Sequence, residues 1–92
     1  MIASVDEFSA ARAVVLECAV EREAPTPQLG TMVGLPAVVE VIDDLARSAD
    51  FFSIGTNDFV QYMLGVDRGN EKVADFYIPH HPAVLRSLKR IA

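Results

Sequence analysis

Tryptophan is missing from this sequence, cysteine appears once and histidine twice. A single thiol, Cys18, rules out an internal disulfide and fits a reducing, cytoplasmic setting. No apolar run approaches the roughly 20 residues that a membrane helix needs. The opening Met1-Ile2-Ala3-Ser4-Val5-Asp6-Glu7 has neither the basic stretch nor the long apolar stretch of a signal peptide. Positive charge is scarce: 8 Lys and Arg face 13 Asp and Glu, for a net charge of −5. Such a chain carries no field that would steer it to nucleic acid or to an anionic membrane. The glycines form neither a Walker loop nor a G-x-G-x-x-G turn. These absences predict a soluble, cytoplasmic protein without membrane insertion.

Apolar residues, by contrast, are abundant. They make up 51% of the 92 positions, and the mean hydropathy is +0.26. In a chain this short, surface dominates volume. The excess predicts a large shared interface, or a segment cut from a larger domain.

Order along the chain is clear. Ser4 and Glu7 form a capping box ahead of a helix from Val5 to about Val20, with Phe8, Ala11, Val15 and Cys18 at helical spacing. Cys18 on that apolar face predicts a buried thiol. The stretch from Glu21 to Gln28, with Pro25 and Pro27, is a loop. Leu29–Leu35 predicts a buried parallel strand. Pro36 then opens a helix carrying Val38, Val39, Val41, Ile42, Leu45 and Ala46, ending near Ser48-Ala49. Phe51–Gly55 predicts a second buried strand, running straight into Thr56-Asn57-Asp58. A short helix from Phe59 to Leu64 stops at Gly65, and Val66–Asn70 is a loop. Glu71–Tyr77 holds a helical turn. Pro79-His80-His81-Pro82 breaks the chain before a last helix over Ala83–Ala92. Helices alternating with strands predict βαβ units and a parallel sheet, hence an α/β fold.

Few residues have a chemical role written into their position. Asn57 and Asp58 follow a strand, where ligand groups gather in parallel β/α folds. A carboxylate there suits Mg²⁺, which binds carboxylate oxygens together with substrate phosphates. The alternative is that both residues only cap the next helix. Arg68, in Asp67-Arg68-Gly69-Asn70, offers a planar fork for carboxylate or phosphate; the alternative is an ordinary loop with an internal Asp67–Arg68 contact. His80 and His81 lack neighbours at zinc spacing and read as a structural turn.

The strings Phe51-Phe52-Ser53-Ile54-Gly55-Thr56-Asn57-Asp58, Gln61-Tyr62, Val66-Asp67-Arg68-Gly69-Asn70 and Tyr77-x-Pro79-x-His81-Pro82-Ala83-Val84-Leu85 together resemble the enzyme I family. These are the phosphoenolpyruvate–protein phosphotransferases of the sugar phosphotransferase system. The resemblance runs over essentially the whole chain. Pyruvate phosphate dikinase and phosphoenolpyruvate synthase are similar over Gly55–Asp58. The resemblance implies that residues 1–92 are part of a phosphoenolpyruvate-binding (β/α)₈ TIM barrel of the PEP/pyruvate type, roughly from the end of strand four to helix six. It implies Mg²⁺-dependent phosphoryl transfer from phosphoenolpyruvate to a histidine of another domain, and on to the carrier HPr. Asp58 matches the family's Mg²⁺ ligand, and Asn57 and Arg68 match substrate-binding positions.

The family pattern Met-Val-Glu-x-Pro, whose glutamate is the second Mg²⁺ carboxylate, stands here as Met32-Val33-Gly34-Leu35-Pro36. Gly34 has no side chain to offer. Phe59-Val60 replaces the usual Leu-Thr. No residue of this chain matches the family's phosphorylated histidine or its general-acid cysteine, so no catalytic residue is assigned. Two expectations follow. The chain contributes to a phosphotransferase active site, or it is a noncatalytic barrel fragment that serves as an assembly or binding module. In either case, the unpaired strand edges of a part-barrel predict self-association.

Overall fold

A computed structural model describes all residues from Met1 to Ala92. Helix α1 spans Val5–Glu21. Strand β1 covers Gly30–Val33. A 3₁₀ segment, Pro36–Val41, leads into α2, Ile42–Ala46. Strand β2 covers Phe51–Ile54, α3 covers Thr56–Leu64, a single 3₁₀ turn covers Ala74–Phe76, and α4 covers Pro82–Ile91. The two strands pair in parallel, Gly30 with Phe51 through Val33 with Ile54. The chain is thus a mixed α/β unit around a small parallel sheet, with a βαβ core.

Local chemistry explains these elements. At α1, the Ser4 hydroxyl accepts from the Glu7 N–H at 3.2 Å, and the Glu7 carboxylate reaches back to the Ala3 N–H at 3.2 Å. The single helix expected after Pro36 is instead a 3₁₀ stretch followed by one α turn and a half. Val38, Val39, Val41 and Ile42 crowd their own backbone, because β-branched side chains have one easy rotamer in an α-helix. Val41 carries the break, with φ −119° and ψ 15°. Gly65 ends α3 in the left-handed region at φ 65°, where a side chain would be strained. The strand starts are tied by Asp50: its carboxylate accepts from the Leu29 N–H at 2.7 Å, and its own N–H donates to the Leu29 carbonyl at 2.7 Å.

One core holds the elements together. It contains Phe8, Val33, Val38, Val39, Leu45, Phe59, Val60 and Val84, one or two residues from each main element except β2. Only 10 of 92 residues are buried. The strands were expected to be buried, yet Val33 is the one strand residue that is. The reason lies in the register. Thr31, Val33, Phe52 and Ile54 share one face of the sheet, and the core packs on that side. Met32 and Phe51 lie on the opposite face and remain 57% and 53% exposed.

Cys18 is likewise exposed rather than buried. Phe8 is the one buried residue of α1, and Val14, Val15 and Val20 meet solvent. A 17-residue helix is about 25 Å long, and its second half extends past the body it would need in order to bury Cys18. The molecule measures 51 × 26 × 18 Å, with a radius of gyration of 15.9 Å. A compact chain of this length has a radius of about 12 Å. No helix is long and apolar enough to cross a membrane.

Two ion pairs are present, both on the surface. Arg90 meets Glu40 at 3.0 Å and ties α4 to the 3₁₀ segment. The hydrogen bond and charge of Arg90 hold the Glu40 carboxyl below its ordinary range. A lowered carboxylate pKa stabilises the fold above the unfolded-state value, and the contribution disappears as acidification passes the folded-state value. Solvent screening keeps that contribution small.

Candidate functional site

The parallel register brings the C-terminal ends of β1 and β2 side by side. Gly34 follows β1 and Gly55 follows β2, and the Gly55 N–H donates to the Val33 carbonyl at 2.9 Å. The chain then enters α3 directly, with Gly55 at the N-cap position and Thr56, Asn57 and Asp58 forming the first turn. No side chain caps this helix, so the capping alternative for Asn57 and Asp58 does not hold. Asp58 instead lies in the first turn, where the helix dipole favours a negative charge.

Asp58 lines an open pocket of about 210 Å³ together with Met1, Ile2, Thr31, Met32 and Gly34. A Cβ on Gly34 would lie 3.8 Å from the Asp58 Cβ and 3.3 Å from the Met1 Sδ. Positions 34 and 58 are therefore neighbours in space, although 24 residues separate them in sequence. Gly34 leaves Asp58 as the pocket's single carboxylate. No group of three or more His, Cys, Asp or Glu side chains converges anywhere in the chain. This donor set fits one coordination position of a Mg²⁺ ion that also binds phosphate and water, and it does not build a closed metal site.

Asn57 and Arg68 are not in that pocket. The Asn57 side-chain oxygen accepts from the Tyr77 hydroxyl at 3.5 Å. Gln61 connects the two positions. Its amide nitrogen donates to the Asn57 carbonyl at 3.5 Å, and its side-chain oxygen accepts from the Arg68 N–H at 3.0 Å. Gln61 also lines a different cavity, of about 390 Å³, with Tyr62, Gly65, Val66 and Asp67. Asp67 does not pair with Arg68; its carboxylate accepts from the Gly69 N–H at 2.8 Å and closes the turn. The Arg68 guanidinium makes no hydrogen bond or ion pair within the chain. Gln61 belongs to the motif that carries the family resemblance, but its linking role had no signal in the sequence beyond its place one helical turn after Asn57.

His81 is structural. Its Nδ1 accepts from the Ala83 N–H at 3.1 Å and caps α4, while Pro82 fills the first helical position. The helix therefore starts at Pro82 rather than Ala83. Loss of a cap of this kind costs about 1 kcal/mol. We expect His81→Ala to lower the urea midpoint accordingly and His81→Asn to recover most of it, measured by circular dichroism.

Comparison with known proteins gives the same direction as the motif. Residues 1–92 match the family described as PEP-utilising enzyme, PEP-binding domain. A phosphoenolpyruvate-protein phosphotransferase of Bacillus sp. (strain S) is 44% identical over 100 residues, covering 99% of this chain and 17% of the relative. A protein of Escherichia coli (strain K12) named for the phosphoenolpyruvate-dependent phosphotransferase system is 42% identical over 98 residues, covering 100% of this chain and 13% of the relative. A phosphoenolpyruvate-protein phosphotransferase of Listeria monocytogenes is 40% identical over 97 residues. The chain thus spans less than a fifth of the length of these relatives. A model match over the full chain and identities above 40% settle the kinship: this chain belongs to the PEP-utilising enzyme family, within its PEP-binding domain.

Proposed function

We propose that this chain contributes the Mg²⁺ and phosphate side of a phosphoenolpyruvate site in a phosphotransferase of the enzyme I type. The observation that carries the reading is the meeting of Asp58 with position 34 at the C-terminal ends of two parallel strands. In this reading Asp58 supplies one oxygen ligand to a Mg²⁺ that arrives with the substrate. The ion's part would be to offset phosphate charge. Asn57 and the unpaired guanidinium of Arg68 bind the substrate's anionic groups, with Gln61 setting their spacing. The parent architecture is a (β/α)₈ barrel, of which this chain would form the part from the end of strand four to helix six. The phosphoryl group would pass to a histidine on another domain and then to HPr, in the cytoplasm.

A second reading, a noncatalytic binding or assembly module, draws on one specific feature. Gly34 leaves a single carboxylate where the family pattern has two.

Amide NMR on the labelled chain separates the two readings. The phosphotransferase reading expects phosphoenolpyruvate with Mg²⁺ to shift Asn57, Asp58 and Arg68. Asp58→Asn should remove the Mg²⁺ dependence, and Arg68→Ala should remove the response to phosphoenolpyruvate. Dispersed spectra that do not respond to either ligand would favour the module.

A further inference from the structure

The side chain of Asn57 ends in an amide with two unlike ends, an oxygen that accepts and a nitrogen that donates twice. Which end meets a ligand depends on what holds the other. Here the oxygen is held. The Tyr77 hydroxyl donates to Oδ1 at 3.5 Å, across 20 residues of sequence. The Asn57 amide nitrogen makes no hydrogen bond within the chain, and the residue is exposed. Its N–H groups are therefore the free end, and N–H groups are what an anion binds.

Tyr77 is anchored well enough to keep the amide this way round. Its ring packs against the core, so the apolar body is buried and the polar tip reaches out. Its backbone closes the 3₁₀ turn: the Tyr77 N–H donates to the Ala74 carbonyl at 3.0 Å. The next turn is closed as well, by the His81 N–H on the Ile78 carbonyl at 3.1 Å. Asn57 is thus held twice, at its backbone carbonyl by Gln61 of its own helix and at its side-chain oxygen by Tyr77 of a distant turn. The Tyr77 contact is long for an O–H···O bond. Hydrogen bonds in ligand-free sites are often long and tighten in the complex. An anion on the Asn57 N–H groups would polarise the amide and strengthen the bond at its oxygen.

We propose that Tyr77 is a positioning residue, which holds the Asn57 amide with its nitrogen toward the ligand and so selects an anionic group there. Tyr77 acts through Asn57 and not on the ligand itself. The proposal rests on the reading of Asn57 as a substrate-binding residue.

Tyr77→Phe keeps the ring and removes the donor. Calorimetric titration of the 92-residue chain with phosphoenolpyruvate and Mg²⁺ measures binding, and NMR follows the side-chain amide pair of Asn57. The variant should melt as the wild type does. Its Asn57 side-chain resonances should move even without ligand, and binding should weaken by about three- to tenfold, the worth of one hydrogen bond. Asn57→Ala should weaken binding at least as much. Adding Tyr77→Phe to Asn57→Ala should cause no further loss, because Tyr77 then has no amide to orient. Wild-type binding by Tyr77→Phe, or the same loss with and without Asn57, would overturn the proposal and leave Asn57 as a ligand group. Wild-type binding by Asn57→Ala would overturn the ligand reading of Asn57 and the proposal with it.

Discussion

Replacing Gly34 with glutamate is expected to give a protein that is less stable in chelator and tighter for phosphoenolpyruvate in Mg²⁺. The backbone permits the change, because Gly65 is the one glycine at positive φ. Space permits it too. The new Cβ would be at ordinary contact distance from Asp58, and its tight neighbour is the Met1 Sδ, the free end of a flexible side chain. Two carboxylates would then face each other. Without a cation, unit charges a few ångström apart repel by about 1 kcal/mol in water-like surroundings. For a domain of this size that lowers the melting temperature by about 4–8 °C. Millimolar Mg²⁺ should reverse the loss, because Mg²⁺ is held by one or two carboxylates plus phosphate. The second ligand should tighten Mg²⁺-dependent binding of phosphoenolpyruvate by about tenfold, or 1.4 kcal/mol. Gly34→Gln provides the control, with similar bulk and no charge. Calorimetric titration and thermal melts of both variants make the comparison. If glutamate and glutamine behave alike, position 34 does not act with Asp58 on a cation.

The second large effect belongs to the core. Phe59 is fully buried at the start of α3, between the sheet and the helices. Phe59→Ala should cost about 3–5 kcal/mol through lost transfer energy and the cavity left behind. A chain of this length has a total stability of about 5–14 kcal/mol, and with 10 buried residues this one belongs at the low end. The variant should therefore lose most of its cooperative urea transition. Phe76→Ala, at an exposed aromatic position, should change stability by less than about 0.5 kcal/mol. Phe59 also carries the turn that holds Asp58, so the ligand response should disappear with the fold.

Much of this was legible in the residues, and the successes and failures have separate causes. The capping box at Ser4 and Glu7, the stop at Gly65, the helical start at Pro36 and the βαβ order depend on local chemistry. Local chemistry is what a sequence displays. The string from Phe51 to Asp58 likewise announced a strand running into a polar trio, although the helix expected from Phe59 begins at Thr56 and takes the trio as its first turn; the comparisons agree with the family that the string suggested.

Burial was not legible. Cys18 and the strands were expected inside because they are apolar, and they are exposed because the chain has too few elements to cover both sheet faces and all of α1. The 3₁₀ segment after Pro36 was missed because apolar spacing alone does not distinguish it from an α-helix; the β-branched run was the available signal. Asp50 and Gln61 act through hydrogen bonds to Leu29 and to the Arg68 N–H, 21 and 7 residues away, that have no periodicity to betray them. The pairing of positions 34 and 58 depends on strand register, which belongs to tertiary structure.

The measurement that bears most directly on the central claim uses Mn²⁺ in place of Mg²⁺. Paramagnetic broadening of the labelled chain would be recorded with Mn²⁺ alone and with Mn²⁺ plus phosphoenolpyruvate. The account expects little localised broadening from the ion alone, because Asp58 is a lone carboxylate. With phosphoenolpyruvate it expects strong broadening centred on Gly34, Gly55 and Asp58 and reaching Arg68. Broadening centred elsewhere, or none when both ligands are present, would contradict the placement of the site at the C-terminal ends of β1 and β2.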